Sequence, residues 1–221
     1  MMKGKEHMKK FDYLLFVKKL ILFFAGLWII QTGVAIFIKA NIGSDPFTVF
    51  TQGLATLLGI TTGQANLVIL FTFFVVILLT SRKSINIGTI LAVVSAGIFI
   101  DLMTNVLDSV SFDSYNILIK CIILIIGCII IAIGFSILMT ASLGVAPNDL
   151  IPLMLQEKLK VQYRWIRITL DVTFLVIGFF LGGVVGVGTV IAALCQGPII
   201  QFMMPKIDKI LKPLLKASNE V

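Results

Sequence analysis

Charged side chains within apolar stretches are the groups of this chain that could do chemistry. Asp101 stands between Ile100 and Leu102 in a long apolar run. A charge inside a membrane helix costs roughly 2.5–3.5 kcal/mol on insertion scales, so it normally faces a partner or water. Asp101 could therefore bind an ion, carry a proton or tether neighbouring helices. A purely structural, hydrogen-bonded aspartate is the alternative.

A second charged group consists of Arg167 and Asp171. Their i, i+4 spacing places both side chains on one face of a helix, where they can pair. An ion pair of this kind reduces the cost of burying either charge. Both a structural pair and a pair that contacts a solute remain open.

Two Gly-x-x-Pro motifs mark breaks in the apolar pattern. Gly43 precedes Pro46, Gly144 precedes Pro147, and an apolar stretch of about 14 residues follows each proline. Proline favours the first turn of a helix, because its missing N–H group would have no partner there. About 20 residues are needed to cross a bilayer. The motifs therefore predict two short helices, either re-entrant or lying flat at the membrane surface.

Polar residues accompany both prolines. Asp45 directly precedes Pro46 and is predicted to cap the first short helix. Asn148 and Asp149 follow the second proline in the first helical turn, where the helix dipole favours acids. If both helices are re-entrant, their N-termini point from opposite sides into one interior site, which would suit a small anion or zwitterion.

The composition places these groups in a membrane. Of 221 residues, 58% are apolar and 13% charged, and the mean hydropathy is +1.07. A soluble domain carries about 25% charged residues. The net charge is +7, but the cations lie at the ends of apolar runs, where they orient membrane helices, so nucleic-acid binding is not expected. The chain is predicted to be an all-α polytopic membrane helix bundle with the lipid bilayer as its main partner.

The apolar stretches form two similar halves. Six are long enough to span the membrane: 19–39, 63–81, 86–106, 116–139, 164–182 and 186–204. A shift of 101 residues places the first Gly-x-x-Pro motif on the second, and a shift of 100 places Asp101 on Gln201. Three spans per half is an odd number, so the two repeats are predicted to be inverted relative to each other.

The positions of the cations predict the topology. Five segments are expected: a basic cytoplasmic leader (1–18), membrane repeat 1 (19–106), an extracellular loop (107–115), membrane repeat 2 (116–204) and a basic cytoplasmic tail (205–221). Both termini would then face the cytoplasm.

Other kinds of site find no support in the motifs. His7 is the single histidine, and Cys121, Cys128 and Cys195 lie within apolar stretches without metal-ligand spacing. The chain has no phosphate-binding glycine loop and no nucleophile–base motif. Neither a metal, a cofactor nor an enzymatic activity is expected.

Five short stretches resemble a known family. The segments 40–49 (ANIGSDPFTV), 97–102 (GIFIDL) and 141–150 (ASLGVAPNDL), together with the Trp165–Arg167 and Gly186–Thr189 motifs, resemble the bacterial YczE/YyaS/YitT-type integral membrane proteins. The resemblance extends from about Gly26 to Met204. It implies a multi-pass protein of the bacterial cytoplasmic membrane, without a settled activity. One member is regarded as an accessory to secondary-metabolite production.

Two functions follow as hypotheses. The broken helices and buried charges favour a transporter or channel, ion-coupled or passive, for a small molecule or ion. The alternative is a membrane accessory that regulates a partner enzyme, for which the basic stretch Lys206–Lys216 would provide a contact. Neither the substrate nor an oligomeric state can be assigned from the residues.

Overall fold

The computed structural model describes residues 13–216, and all regular structure in this range is helical. Eight α-helices follow one another in the order long, short, long, long in each half of the chain. They are α1 (Tyr13–Ala40), α2 (Pro46–Leu58), α3 (Thr62–Thr80), α4 (Ile87–Val106), α5 (Ile117–Ala141), α6 (Pro147–Leu159), α7 (Tyr163–Phe180) and α8 (Val187–Lys216). The predicted all-α helix bundle is confirmed.

The short helices begin at the prolines that predict them. Each has 13 residues, which corresponds to about 20 Å of helix. Asp45 caps α2 as predicted, because its carboxylate accepts a hydrogen bond from the Thr48 amide at 3.1 Å. Ala146 occupies the same position before α6, and that helix has no side-chain cap.

The turns around the short helices have the same backbone geometry in both halves. Six residues with positive φ are paired at a spacing of 101: Asn41 (53°) with Ser142 (52°), Gly43 (106°) with Gly144 (120°), and Gly59 (64°) with Lys160 (56°). Few residues other than glycine adopt positive φ, so this agreement reflects a shared backbone path.

The long helices α1 and α5 cross at glycines. A Cβ atom built on Gly26 would lie 2.8 Å from the carbonyl oxygen of Gly134. Further along α1, a Cβ on Gly33 would lie 2.9 Å from the carbonyl oxygen of Gly127. The order of contacts is reversed between the helices, so α1 and α5 run antiparallel. Each contact maps onto the other when the chain is shifted by 101 residues.

The turn before each short helix is held by the opposite half of the chain. The Gly188 amide at the start of α8 donates a hydrogen bond to the carbonyl of Ile42 at 2.7 Å. The Gly88 amide at the start of α4 donates to the carbonyl of Leu143 at 2.9 Å. Each half therefore supports the irregular backbone of the other, as interior non-helical segments of a membrane protein require.

Helix α2 is inserted into the bundle. The Phe47 and Phe174 rings lie 5.6 Å apart, and a Cβ on Gly53 would lie 2.5 Å from the carbonyl oxygen of Gly178. The later residue of α2 contacts the later residue of α7, so the two helices run parallel. Helix α2 begins beside the middle of α7. Its N-terminus is inside the bundle, in agreement with a re-entrant rather than a surface helix.

Five described helices are long and apolar enough to cross a membrane: α1, α3, α4 (continued to Ser109), α5 and α8. The sixth predicted span, 164–182, is α7, whose 18 residues include Arg167 and Asp171. Two predicted boundaries fall within helices. Helix α1 already begins at Tyr13, and α8 continues through Pro205 to Lys216, so the described parts of the leader and tail extend membrane helices.

The last two helices of each half are arranged differently. Helices α3 and α4 are in close contact, since a Cβ on Gly97 would lie 2.2 Å from the carbonyl oxygen of Gly63. At the matching position of α8, a Cβ on Gly197 would meet no atom within 4 Å. Helices α7 and α8 are therefore separated where α3 and α4 are packed.

Candidate functional site

The centre of the bundle contains a cavity of about 770 Å³ that is lined by all eight helices. This volume is in the range of cavities that hold small molecules. Most of the lining is apolar, with residues such as Leu27, Ile131 and Leu175. The polar lining includes side chains at the N-termini of α2 and α6 and others on α1, α3, α7 and α8.

An arginine with two carboxylates forms the charged part of the lining. The Arg167 guanidinium donates to Asp149 at 3.0 Å and to Asp171 at 3.1 Å, and thereby connects α6 to α7. The three side chains are 35%, 26% and 28% exposed, respectively. The i, i+4 pair predicted from sequence is present, and Asp149 is a further partner from another helix.

A third carboxylate, Asp45, lines the same cavity from the N-terminus of α2. It has a structural role as the cap of that helix. Asp149 lies in the first turn of α6, so each short helix presents its N-terminus and an aspartate to the cavity. Asn148 and Pro46 also contribute to the lining.

Asn66 of α3 is a lining residue that sequence reasoning did not select as a site. It is only 6% exposed, and its Oδ1 atom is buried without a hydrogen-bond partner. The shift of 101 residues places Asn66 on Arg167, so both halves provide a polar side chain at this position. That correspondence was the signal in the sequence that could have identified it.

Asp101 and Gln201 are not among the residues that line the cavity. The Asp101 carboxylate accepts hydrogen bonds from the Thr61 hydroxyl at 2.6 Å and from the Gly63 amide at 2.8 Å. Asp101 therefore binds the N-terminal turn of α3 from α4 and fastens the two helices together. Gln201 is exposed on α8.

Three residues of the two turns pack against protein and are also absent from the lining. Gly43 faces Gly186 and Thr189, and Gly144 faces Asn86 and Thr89, so both glycines contact the helix that begins in the opposite half. Pro147 is fully buried. These residues position the short helices, and the side chains that follow them reach the cavity.

The separation of α7 and α8 bounds the cavity on one side. Arg167, Asp171 and Leu175 line it from α7, and Gln196 and Gly197 line it from α8. Because nothing fills the space beside Gly197, the charged group lies behind an opening between two helices. Over residues 13–216, no group of three or more His, Cys, Asp or Glu is arranged to hold a metal ion.

The fold and the site define a multi-pass α-helical membrane protein with a central, partly charged cavity. The model of the family of unknown function DUF6198 matches residues 17–205, and the chain belongs to that family. This agrees with the resemblance to YczE-type proteins found in its motifs.

The chain is also similar to individual bacterial proteins. It is 29% identical to the uncharacterized membrane protein YczE of Bacillus subtilis over 190 residues, 86% of each chain. It is 27% identical to an uncharacterized protein of Haemophilus influenzae, over 83% of this chain and 82% of the relative. The uncharacterized protein YyaS of Bacillus subtilis is 26% identical, with coverages of 83% and 91%. No solved structure gives a significant match.

Proposed function

We propose that this protein is a transporter or channel for a small solute, which binds in the central cavity. The observation that carries the proposal is the Asp149–Arg167–Asp171 group in a cavity that the N-termini of both short helices line. Charged groups inside a membrane protein are expensive and usually mark a solute or ion path. The proposal assigns no chemical reaction to the chain.

The two halves of the chain, in this proposal, are inverted repeats. The antiparallel crossing of α1 and α5 supports it, because the Gly26–Gly134 and Gly33–Gly127 contacts exchange under the 101-residue shift. A two-fold axis perpendicular to both helices produces this exchange, and repeats related in this way have opposite orientations in the membrane. Solute sites of such transporters lie near the midplane, at the interface of the repeats.

The proposed location is the cytoplasmic membrane of a bacterium, with both termini in the cytoplasm. The bacterial relatives support the first part. Lys18 donates a hydrogen bond to the carbonyl of Leu214 at 3.4 Å, so the beginning of α1 and the end of α8 lie at the same end of the bundle. The basic residues at this end favour the cytoplasmic side.

A tryptophan placed in the opening between α7 and α8 tests the transport function. Gly197→Trp should fold normally, because a side chain at this position meets open space. The indole ring would obstruct access to the cavity. Leu194→Trp is a matched control, since Leu194 lies one turn away on the same helix, is 69% exposed and does not line the cavity.

Proteoliposomes would be incubated with a mixture of small polar solutes, and the internalised compounds quantified by mass spectrometry. We expect at least one solute to enter faster than into protein-free liposomes. Its uptake should be lost in Gly197→Trp and retained in Leu194→Trp. Uptake that is insensitive to Gly197→Trp would contradict a path through this cavity. No uptake of any solute by folded protein would favour the accessory role.

A further inference from the structure

The charges around the cavity are not balanced. Among the lining side chains that the structure describes, Asp45, Asp149 and Asp171 are acidic and Arg167 is the one basic residue. When all four are ionised, two negative charges are in excess. A cavity with low-dielectric walls concentrates the field of such a charge, which attracts cations and repels anions.

The N-termini of the short helices do not reverse this preference. An unoccupied helix N-terminus favours an anion, because its N–H groups and dipole present positive charge. At α2, the Asp45 carboxylate already accepts the Thr48 amide hydrogen bond. At α6, Asp149 supplies a negative charge in the first turn. The chain itself therefore provides the anions that these two sites favour.

The carboxylates of the charged group keep oxygens that Arg167 does not bind. Arg167 uses its Nε and one terminal nitrogen on one oxygen each of Asp171 and Asp149. Among the side chains that the structure describes, none donates a hydrogen bond to the second oxygen of either carboxylate. A ligand that carries both positive charge and N–H donors would satisfy these oxygens.

Asn66 provides a second and independent indication of such a ligand. Its Oδ1 atom is an acceptor that is buried in the cavity wall and receives no hydrogen bond. Leaving a buried acceptor unpaired is unfavourable, so native structures usually pair such atoms with protein, water or ligand. An ammonium group has three donors and no acceptor, so it can pair with the free carboxylate oxygens, and with the Asn66 oxygen once a rotation of that side chain turns it toward the cavity.

We infer that the central cavity binds a small primary ammonium compound, whose –NH₃⁺ group is held by Asp149, Asp171 and the Oδ1 of Asn66. The apolar remainder of the lining, which includes Leu27, Ile131 and Leu175, accommodates a hydrocarbon portion of the ligand. This inference rests on the proposed function, because it names the solute class for the same cavity.

Three probes of similar size and different charge test the inference. n-Butylammonium, 1-butanol and pentanoate share a butyl group and carry positive, zero and negative charge. At equal ionic strength, n-butylammonium should raise the Tm of the purified protein saturably, by about 3 °C near ten times its Kd. The other two compounds should produce no saturable rise. Butyltrimethylammonium keeps the charge but lacks N–H donors, so it should bind more weakly.

Variants assign the binding to the named groups. Asp171→Asn removes one charge and should weaken n-butylammonium binding about tenfold or more. Asn66→Leu removes the acceptor and should weaken it about fivefold. Asn66→Asp adds a carboxylate and should tighten binding, an effect that misfolding cannot produce. Asp113→Asn is the matched control, because it makes the same chemical change on a side chain that is 97% exposed.

Each contrary result has a distinct meaning. Saturable binding of pentanoate in place of n-butylammonium would overturn the cationic class and leave a solute site in this cavity. Equal binding of butyltrimethylammonium, unaffected by Asn66→Leu, would overturn the role of the N–H donors. No binding of any probe would overturn the inference, whereas the proposed transport function would still be decided by the Gly197→Trp uptake experiment.

Discussion

The pairs α3–α4 and α7–α8 occupy corresponding positions in the two halves of the chain but pack in different ways. In the first pair, Gly63 and Gly97 bring two backbones into direct contact. Asp101 reinforces that contact through hydrogen bonds to the first turn of α3. In the second pair, Gly197 faces open space. The cavity therefore has a sealed wall in one half and a gap in the other.

The difference has a basis in the sequence. The 101-residue shift that relates Asn66 to Arg167 places Gly63 on Arg164, and Asp101 corresponds to Gln201. An arginine at position 164 cannot make the glycine-to-glycine contact that Gly63 makes. Gln201 is uncharged, so it lacks the negative charge with which Asp101 binds the first turn of α3. The glycine and aspartate of the first half therefore seal one side of the cavity, whereas the second half keeps its charged residues accessible.

The largest effect is expected from valine at the two matching glycines. Gly97→Val would force a Cβ to within 2.2 Å of a backbone carbonyl oxygen and should destabilise the protein by about 3 kcal/mol or more. Gly197→Val meets no atom and should change stability by less than about 1 kcal/mol. Thermal unfolding in the same detergent measures both. Equal losses of Tm would contradict the difference between the two pairs.

A smaller effect is expected at the two turns. Gly43→Ala would place a Cβ 2.7 Å from the Gly186 amide nitrogen and 2.6 Å from the Thr189 hydroxyl, at a φ of 106°. Gly144→Ala has a comparable φ of 120°, but its nearest atom is the Cβ of the Asn86 side chain at 2.7 Å. A Cβ on Gly43 would meet three atoms within 2.8 Å, whereas the second and third contacts of a Cβ on Gly144 are at 3.3 and 3.4 Å. Gly43→Ala should therefore cost about 2–3 kcal/mol and Gly144→Ala about 1 kcal/mol less.

Gly59→Ala is the control for backbone strain alone, since Gly59 has a φ of 64° and nothing within 4 Å of a Cβ. It should cost about 1 kcal/mol. Unfolding temperatures of the three alanine variants would rank them in the order Gly43, Gly144, Gly59. A loss at Gly59 as large as that at Gly43 would show that the contacts with the opposite half contribute little.

The smallest effect is expected at the paired polar positions on α4 and α8. Asp101→Asn removes the charge that binds the Thr61 hydroxyl and the Gly63 amide, and should destabilise by about 1–2 kcal/mol. Gln201→Ala changes an exposed side chain and should remain within about 0.5 kcal/mol of the original protein. If Gln201→Ala were the more damaging change, the assignment of Asp101 as the fastening residue would be wrong.

Features set by short stretches of sequence could be predicted well. The starts of α2 and α6 and the cap by Asp45 follow from Gly-x-x-Pro and from the residue before proline, both local signals. The Arg167–Asp171 pair follows from helical spacing. Each of these predictions depends on residues within one turn of the chain, which explains its success.

Features that depend on distant contacts could not be read from the sequence. The hydrogen bond of Asp101 joins α4 to α3 across 38 residues. The residues around Asp101 in the sequence do not identify Gly63 as its partner. The contact of Asp149 with Arg167 likewise requires α6 to fold back on α7. The sequence also places Asp45 and Asp149 at the N-termini of the two short helices, but only the fold brings them together with Asp171 at one cavity.

Single-cysteine labelling tests whether water reaches the cavity that the N-termini of α2 and α6 line. After replacement of Cys121, Cys128 and Cys195, one cysteine would be introduced at the lining positions Pro46 and Asn148, or at the buried neighbours Val49 and Leu150. A membrane-impermeant thiol reagent would then be applied from each side. We expect rapid labelling at the two lining positions and little at their neighbours. Lining positions that react no faster than Val49 and Leu150 from either side would contradict it.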